Sequence, residues 1–366
     1  MNVCHGYLSN TRNLWLFMRG CSSLYGRKTR SVCSMKIETT HTIEKILKAA
    51  ELAKTPGPPA SCDYCCPIRQ GASAKFVRAG TYKRSVDDST VQRYRCVGCG
   101  KTYSDATHSL AYKQQRRDIN LRAFLSLSAV LSLRRISMHL GVSRGTLHRR
   151  LGFFEAVARQ AHQDLLVRLK TAGEEFKYIQ FDDVETFEHT KLKPLAIPLV
   201  VSERERYILG VGVASMPAKG PLAALSKTKY GPRADHRPEA WRTALNLAKP
   251  FLNLQHLALT SDMHVSYPKV IKEILPAAVH IRKKSRRACV AGQGELKKGG
   301  HDPMFPLNHT AAMFRANVNR LIRKTWCTTK RPDRLLSHLW LYMLWHNVHI
   351  EVTLKMKLKR GRKTSI

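Results

Sequence analysis

The C-terminal half of the chain strings together apolar runs of two lengths, in an order that few folds accept. The runs "EFKYIQFDD" (175–183), "LAIPLVVSE" (195–203) and "RYILGVGVAS" (206–215) are of strand length and separated by charged turns. That spacing predicts an antiparallel meander. Next come "RPEAWRTALNLAKPFL" (237–252) as a helix, "HLALTSDMH" (256–264) as a strand, "YPKVIKEIL" (267–275) as a helix and "AAVHIRK" (277–283) as a strand. Two long helices are expected from about Asn308 and Arg334. The fold class is therefore α/β, with a mixed sheet and helices.

Three meander strands, then helix, strand, helix, strand and helix, is the order of a ribonuclease H-like domain. In such a sheet the first strand ends near the centre, and "HLALTSD" lies beside it. Asp182 and Asp262 then meet at one edge. Two carboxylates that close repel unless a divalent cation lies between them, and magnesium prefers oxygen ligands. The stretch "YIQFDDVETFEH" (178–189) also holds Asp183, Glu185 and Glu188. These three read as acids of a solvated strand end.

Such acids are scarce here, because 63 Lys and Arg face 26 Asp and Glu, for a formal net charge of +37. The excess is spread along the whole length, and a surface of that kind calls for a polyanion, with nucleic acid the default. Ribosome association and adhesion to an anionic membrane are the alternatives. No run of about 18 uncharged apolar residues occurs, which argues against a spanning helix. With 366 residues, 43% of them hydrophobic, the chain can bury a large core.

The first 37 residues hold no acid but carry Arg12, Arg19, Arg27, Lys28 and Arg30. They read as a leader preceding a start at Met35, with an organellar transit peptide as the alternative. Helical spacing runs from Ile43 to Ala53, and "KTPGPPAS" (54–61) breaks the chain. Cys62 and Cys65 form one C-x-x-C pair, and Cys96 and Cys99 a second. Two such knuckles complete a tetrahedral site for one structural Zn2+. Cys66 competes with Cys65 as the ligand, and a redox pair or disulfides are the rival reading. "RYRCVGCGKTYSD" is basic and aromatic, as expected of a zinc ribbon laid against phosphates.

Beyond it, "RRISMHLGVSRGTLHRRL" (134–151) has the helix-turn-helix pattern. Ile136 and Leu140 mark a short helix, Gly141 the turn, Ser143 the cap of the next helix, and Leu147 and Leu151 its inward face. Arg144, Thr146, His148, Arg149 and Arg150 are then expected to meet a major groove or its phosphates.

In order and spacing, the ribbon with "RYRCVGCGKTY", the helix-turn-helix, "FDDVETF", "LTSDMHVSYPKV" and "NHTAAMFRANVNRLIRKTWCTTKRPDRL" with "LYMLWHN" resemble bacterial insertion-sequence transposases with an Asp-Asp-Glu triad. The resemblance covers about Ser61 to Val348. It implies two Mg2+ (or Mn2+) ions, cleavage at the element's end and strand transfer to target DNA without a covalent enzyme intermediate. It departs at the third acid, where Asn308 stands in place of glutamate, with Arg315 seven residues on to reach a phosphate. Asn308 brings an amide oxygen but no charge and no base. Asp302 and Glu295 are rival third ligands, and Asn308 also reads as a helix cap.

The resulting organisation is 1–60 leader, short helix and linker; 61–112 zinc ribbon; 113–165 helix-turn-helix; 166–351 catalytic domain; 352–366 basic tail. The expected partners are double-stranded DNA, at element ends and target, and further copies of the chain assembled on it. The expected location is the cytoplasm, on the bacterial nucleoid, and not a membrane. Two other readings stay open: an inactive DNA-binding regulator descended from a transposase, and a ribonuclease H-like nuclease that cleaves without joining.

Overall fold

The protein, seen in a computed structural model, is described for residues 27–51, 57–58, 61–65, 74–85, 88–107, 109–284, 296–297, 300–322 and 327–361. Its centre is a mixed sheet. Strands β4 (Tyr178–Phe187), β5 (Pro194–Ser202) and β6 (Ile208–Val211) are antiparallel neighbours, while β8 (Ala258–Ser261) and β9 (Val279–Arg282) run parallel on the other side of β4. The order across the sheet is β6-β5-β4-β8-β9. This α/β arrangement is compatible with a ribonuclease H-like fold.

Period-2 alternation sorts the core into two layers. Val184, Leu195, Ile197, Leu199 and Val201 pack on one side with helices α4 (Arg144–Thr171), α8 (Phe305–Asn317) and α9 (Pro332–Gly361). Ile179, Phe181 and Val200 pack on the other with α6 (Arg237–Ala248) and α7 (Tyr267–Ile274), through Trp241, Leu245, Val270 and Ile271. Gly210 lets α6 lie directly on β6, since a Cβ there would collide with the Ala244 carbonyl. The run "RYILGVGVAS" divides into β6 and the short β7 (Ala214–Ser215). Pro198 of β5 lies opposite the break and has no N–H to donate to the ladder.

Two long helices brace one face. Ser337 donates to Glu155 at 2.6 Å, the Arg159 guanidinium lies 4.3 Å from the Trp340 ring centre, and Arg168 stands 3.6 Å from Glu351. Both members of these pairs rise together in sequence, so α4 and α9 run parallel. α4 crosses the expected boundary at 165/166 because its inward stripe continues through Leu165, Leu166 and Leu169. α9 likewise carries helix through the start of the expected tail. The helix expected from Ile43 begins at Arg27 and ends at Glu51 (α1, Arg27–Glu51), anchored by buried Ile43 and Leu47 and by a 3.1 Å bond between Thr39 and His349.

A separate three-stranded antiparallel sheet, β1 (Phe76–Lys83), β2 (Thr90–Cys96) and β3 (Thr102–Ser104), carries the cysteines. Helices α2 (Asn120–Leu127) and α3 (Leu133–Leu140) lead from it into α4. A last helix, α5 (Leu222–Tyr230), follows β7, and β10 (Leu296–Lys297) pairs with β11 (Gly300–His301) ahead of α8.

Candidate functional site

The parallel register of β4 and β8 ends at Phe181 opposite Ser261. Asp182 and Asp262 are the next residues on neighbouring strands, so the fold brings them to one edge. Burial pushes the Asp182 carboxyl up to about 6, and the negative charge of Asp262 adds to the rise. Oδ1 of Asp182 accepts from the Tyr267 hydroxyl at 3.2 Å and from the Asp183 amide at 2.7 Å. Oδ1 of Asp262 accepts from the amide of His264 at 2.8 Å. Tyr267 is held by ring contacts to Phe181, Trp241 and His264, with centroids 4.9, 5.0 and 4.7 Å away.

Asp183 does not belong to a solvated strand end. Alternation turns it to the opposite face, where the Trp241 indole N–H reaches both its oxygens, at 3.0 and 2.9 Å. Burial under α6 pushes its carboxyl up to about 7. Glu185 is exposed and paired to Lys219 at 2.7 Å, while Glu188 lies 4.0 Å from both Lys193 and Arg233. For these two the surface reading fits.

Gln180, two residues before Asp182 on the same face of β4, docks the start of α8. Its amide nitrogen donates to the Pro303 carbonyl at 2.9 Å and its oxygen accepts from the Leu307 amide at 3.1 Å. Asn308 is the next residue. Asp302, 5% exposed, accepts from the Met304 amide at 3.1 Å and from the side-chain nitrogen of Asn308 at 2.8 Å. One oxygen of Asp302 thus holds the Met304 amide just ahead of α8 and the other holds the Asn308 amide by its nitrogen, so the Asn308 oxygen is not the atom bound to Asp302. Asn308 is not the N-cap, since α8 begins at Phe305. Arg315 is exposed about 10 Å further along the helix. Glu295 lies outside the described residues.

Sulfurs of Cys62, Cys65, Cys96 and Cys99 all lie within 4.8 Å of one another. Cys96 ends β2, and the turn that follows, closed by Gly100 N–H to the Cys96 carbonyl at 2.9 Å, brings Cys99 back beside it. The Tyr103 hydroxyl accepts from the Asp63 amide at 3.0 Å and touches the Cys62 sulfur at 3.3 Å, holding that thiol down to about 6. The neighbouring sulfurs push Cys65 the other way. Four thiolates this close need a cation, so the cluster can hold a metal such as zinc. Cys66 lies outside the described residues.

In the helical segment, Ser132 caps α3, Gly141 ends it at φ 60°, and Ser143 caps α4 by accepting from the Thr146 amide at 3.1 Å. Arg144, His148 and Arg149 are exposed and Thr146 is half-buried. Arg150 is the exception to the expected nucleic-acid face. It shares the inward stripe of Leu147, Leu151 and Phe154, is 5% exposed, and donates to the Arg116 carbonyl at 2.7 Å. Its position, three residues after Leu147, is the signal that could have placed it inside.

Sequence reasoning also missed Gln180, Tyr267 and the hydrogen bonds of Asp302 to the Met304 amide and the Asn308 side chain. No protein-family model matches the chain, and no curated protein matches it. Among the described residues no helix is long and apolar enough to cross a membrane.

Proposed function

We propose that the protein is a DNA transposase of the Asp-Asp-Glu/Asn class, cutting at the ends of an insertion sequence and joining them to target DNA. The observation that carries this reading is the meeting of Asp182 and Asp262 where the β4–β8 pairing ends, on the strand to which Gln180 docks the start of α8 through the Leu307 amide, next to Asn308. Two carboxylates, one of them pushed up by burial and then by the charge of the other, with a neutral oxygen donor on the helix docked to the same strand, make a donor set suited to hard divalent cations. Asp182, Asp262 and Asn308 would hold Mg2+ or Mn2+, two ions by the resemblance. Such ions would supply Lewis-acid stabilisation of phosphate charge and activation of the attacking oxygen.

The chain's own groups divide the remaining tasks. Tyr267 and the Asp183 amide fix Oδ1 of Asp182. Asp302 holds the Asn308 amide by its nitrogen, and Arg315 supplies a planar cation for a phosphate. The four cysteines would hold one Zn2+ in a ribbon, and α3 and α4 would act as a helix-turn-helix on the terminal repeats through Arg144, Thr146, His148 and Arg149. Strand joining requires two ends, hence a homo-oligomer on DNA in the bacterial nucleoid.

The test is a magnesium-dependent assay with labelled DNA carrying the element's ends and a target plasmid. Joined products with wild type, lost on Asp182→Ala or Asp262→Ala, support the reading. Cleavage without joining would make the protein a nuclease instead. Binding with neither reaction favours the regulator reading, to which the uncharged Asn308 lends weight.

A further inference from the structure

Because α4 and α9 are parallel, their N-termini lie at the same end of the pair. The partners Glu155 with Ser337, Arg159 with Trp340 and Arg168 with Glu351 set the register. Followed back toward the N-termini, it brings Arg331 and Arg334 beside His148. The junction is fastened there by the Val130 amide on the Asn317 carbonyl at 2.8 Å, the Asn319 side chain on the Val130 carbonyl at 3.0 Å, and His338 on the Leu127 carbonyl at 2.8 Å. Arg144, Arg149 and Arg331 are exposed, with Arg320 and Arg334 half-buried. The first turn of α4 holds no acid, and that of α9 holds only Asp333, 2.6 Å from Arg331 and 3.7 Å from Arg334. Among the described residues, four arginines around His148 (Arg144, Arg320, Arg331 and Arg334) therefore face Asp333, and both helix dipoles add positive potential at the same end. Burial and then the charges of Arg320, Arg334, Arg144 and Arg331 lower the His148 pKa, in keeping with that crowding.

We propose that the starts of α4 and α9 form one basic face that holds the backbone of double-stranded DNA, with Arg331 and Arg334 as phosphate contacts from outside the helix-turn-helix. This rests on the DNA-binding reading and extends it. A duplex seated on α4 would be held as well by the helix that braces the central sheet, so end recognition and the acidic edge would share one rigid support.

The experiment is fluorescence anisotropy of the full chain on a labelled DNA duplex of about 30 base pairs across a salt series. Each phosphate contact contributes about 0.9 to the slope of log K against log salt. Arg331→Gln/Arg334→Gln is expected to lower that slope by about one to two, and Arg331→Lys/Arg334→Lys to restore it. Arg168→Gln, which removes one arginine charge from the opposite end of the helix pair, should leave it unchanged. If Arg144→Gln/Arg149→Gln lowers the slope and the Arg331/Arg334 glutamine pair does not, α4 alone holds the duplex and the inference falls. Wild type without salt-dependent DNA binding would overturn the DNA-binding reading itself. Displacement of the DNA by an equal concentration of duplex RNA would overturn the assignment of DNA as the partner.

Discussion

The Tyr267 hydroxyl donates to Oδ1 of Asp182 at 3.2 Å, linking the helix after β8 to the carboxylate in β4 that follows the last residue paired with β8. Tyr267 is buried against Phe181 and Trp241, so its ring is fixed before any ligand arrives. Outer partners that orient a metal-ligating group typically cost about 10- to 100-fold in affinity or activity when removed. Tyr267→Phe keeps the ring and removes that hydrogen bond. Its magnesium-dependent cleavage rate is expected to fall within that range while its melting temperature stays close to wild type. Unchanged cleavage and unchanged magnesium dependence would leave Tyr267 a packing residue only.

Asp183 gives a prediction about stability and pH. Its folded-state pKa is raised to about 7 from a model-peptide value of 3.8. A raised carboxyl binds its proton more tightly in the folded state, so the stability it contributes is full below about pH 4 and is lost as pH rises through about 7. Asp183→Asn keeps an oxygen for the Trp241 N–H and removes the charge. Urea melts should show the variant more stable than wild type by roughly 2–4 kcal/mol at pH 8, from about 1.36 kcal/mol per pKa unit. The gain should shrink toward zero at pH 4. A gain independent of pH would mean that the buried carboxylate is not its source.

The hydrogen bond from Asn308 to Asp302 separates the rival third ligands. Asp302→Asn alone places two amide nitrogens together and turns the Asn308 oxygen inward, with an expected loss of about 10-fold or more by the same reasoning about outer partners. The exchange Asp302→Asn/Asn308→Asp restores a donor–acceptor pair and puts a carboxylate at position 308. Strand-transfer activity should return in the doubly exchanged protein. If it stays absent there while Asn308→Ala is active, position 302 holds the metal.

Zinc content tests the cysteine cluster. Wild type is expected to carry one zinc per chain by atomic emission, and Cys62→Ser, Cys65→Ser, Cys96→Ser or Cys99→Ser to lose it, with the β1–β3 sheet loosened. Cys66→Ser should retain the metal. The reverse outcome at Cys65 and Cys66 would shift the first knuckle by one residue.

What could be read from the sequence is what local periodicity and spacing encode. The strand and helix runs, the two C-x-x-C pairs and the Ser143 cap are each set by residues within a few positions, and the order of strands and helices follows those runs, with ends that shift: β4 continues to Phe187 and α8 starts at Phe305 rather than Asn308. The departures come from contacts made across the fold. Asp183 looks like surface until Trp241, 58 residues on, covers it. Arg150 looks like part of a basic face until the Arg116 carbonyl and the inward stripe of α4 hold it inside. Pro198 splits the third strand from across the ladder. α1 starts early because its anchor is α9, more than 300 residues away. At the site, Asp182 and Asp262 were legible because an acid stood toward the end of each of two apolar runs, although β4 itself continues past Asp182 to Phe187. Tyr267 and Gln180 were not, because an aromatic in a helix and a glutamine in a strand carry no signal until their partners are placed.

The proposed seating of divalent cations by Asp182 and Asp262 is tested by Mn2+ binding to the purified chain, followed by the loss of the free-ion paramagnetic resonance signal. Wild type is expected to bind saturably and in competition with Mg2+, and Asp182→Ala and Asp262→Ala to lose that binding without loss of fold. Mn2+ binding that survives both substitutions would contradict that seating.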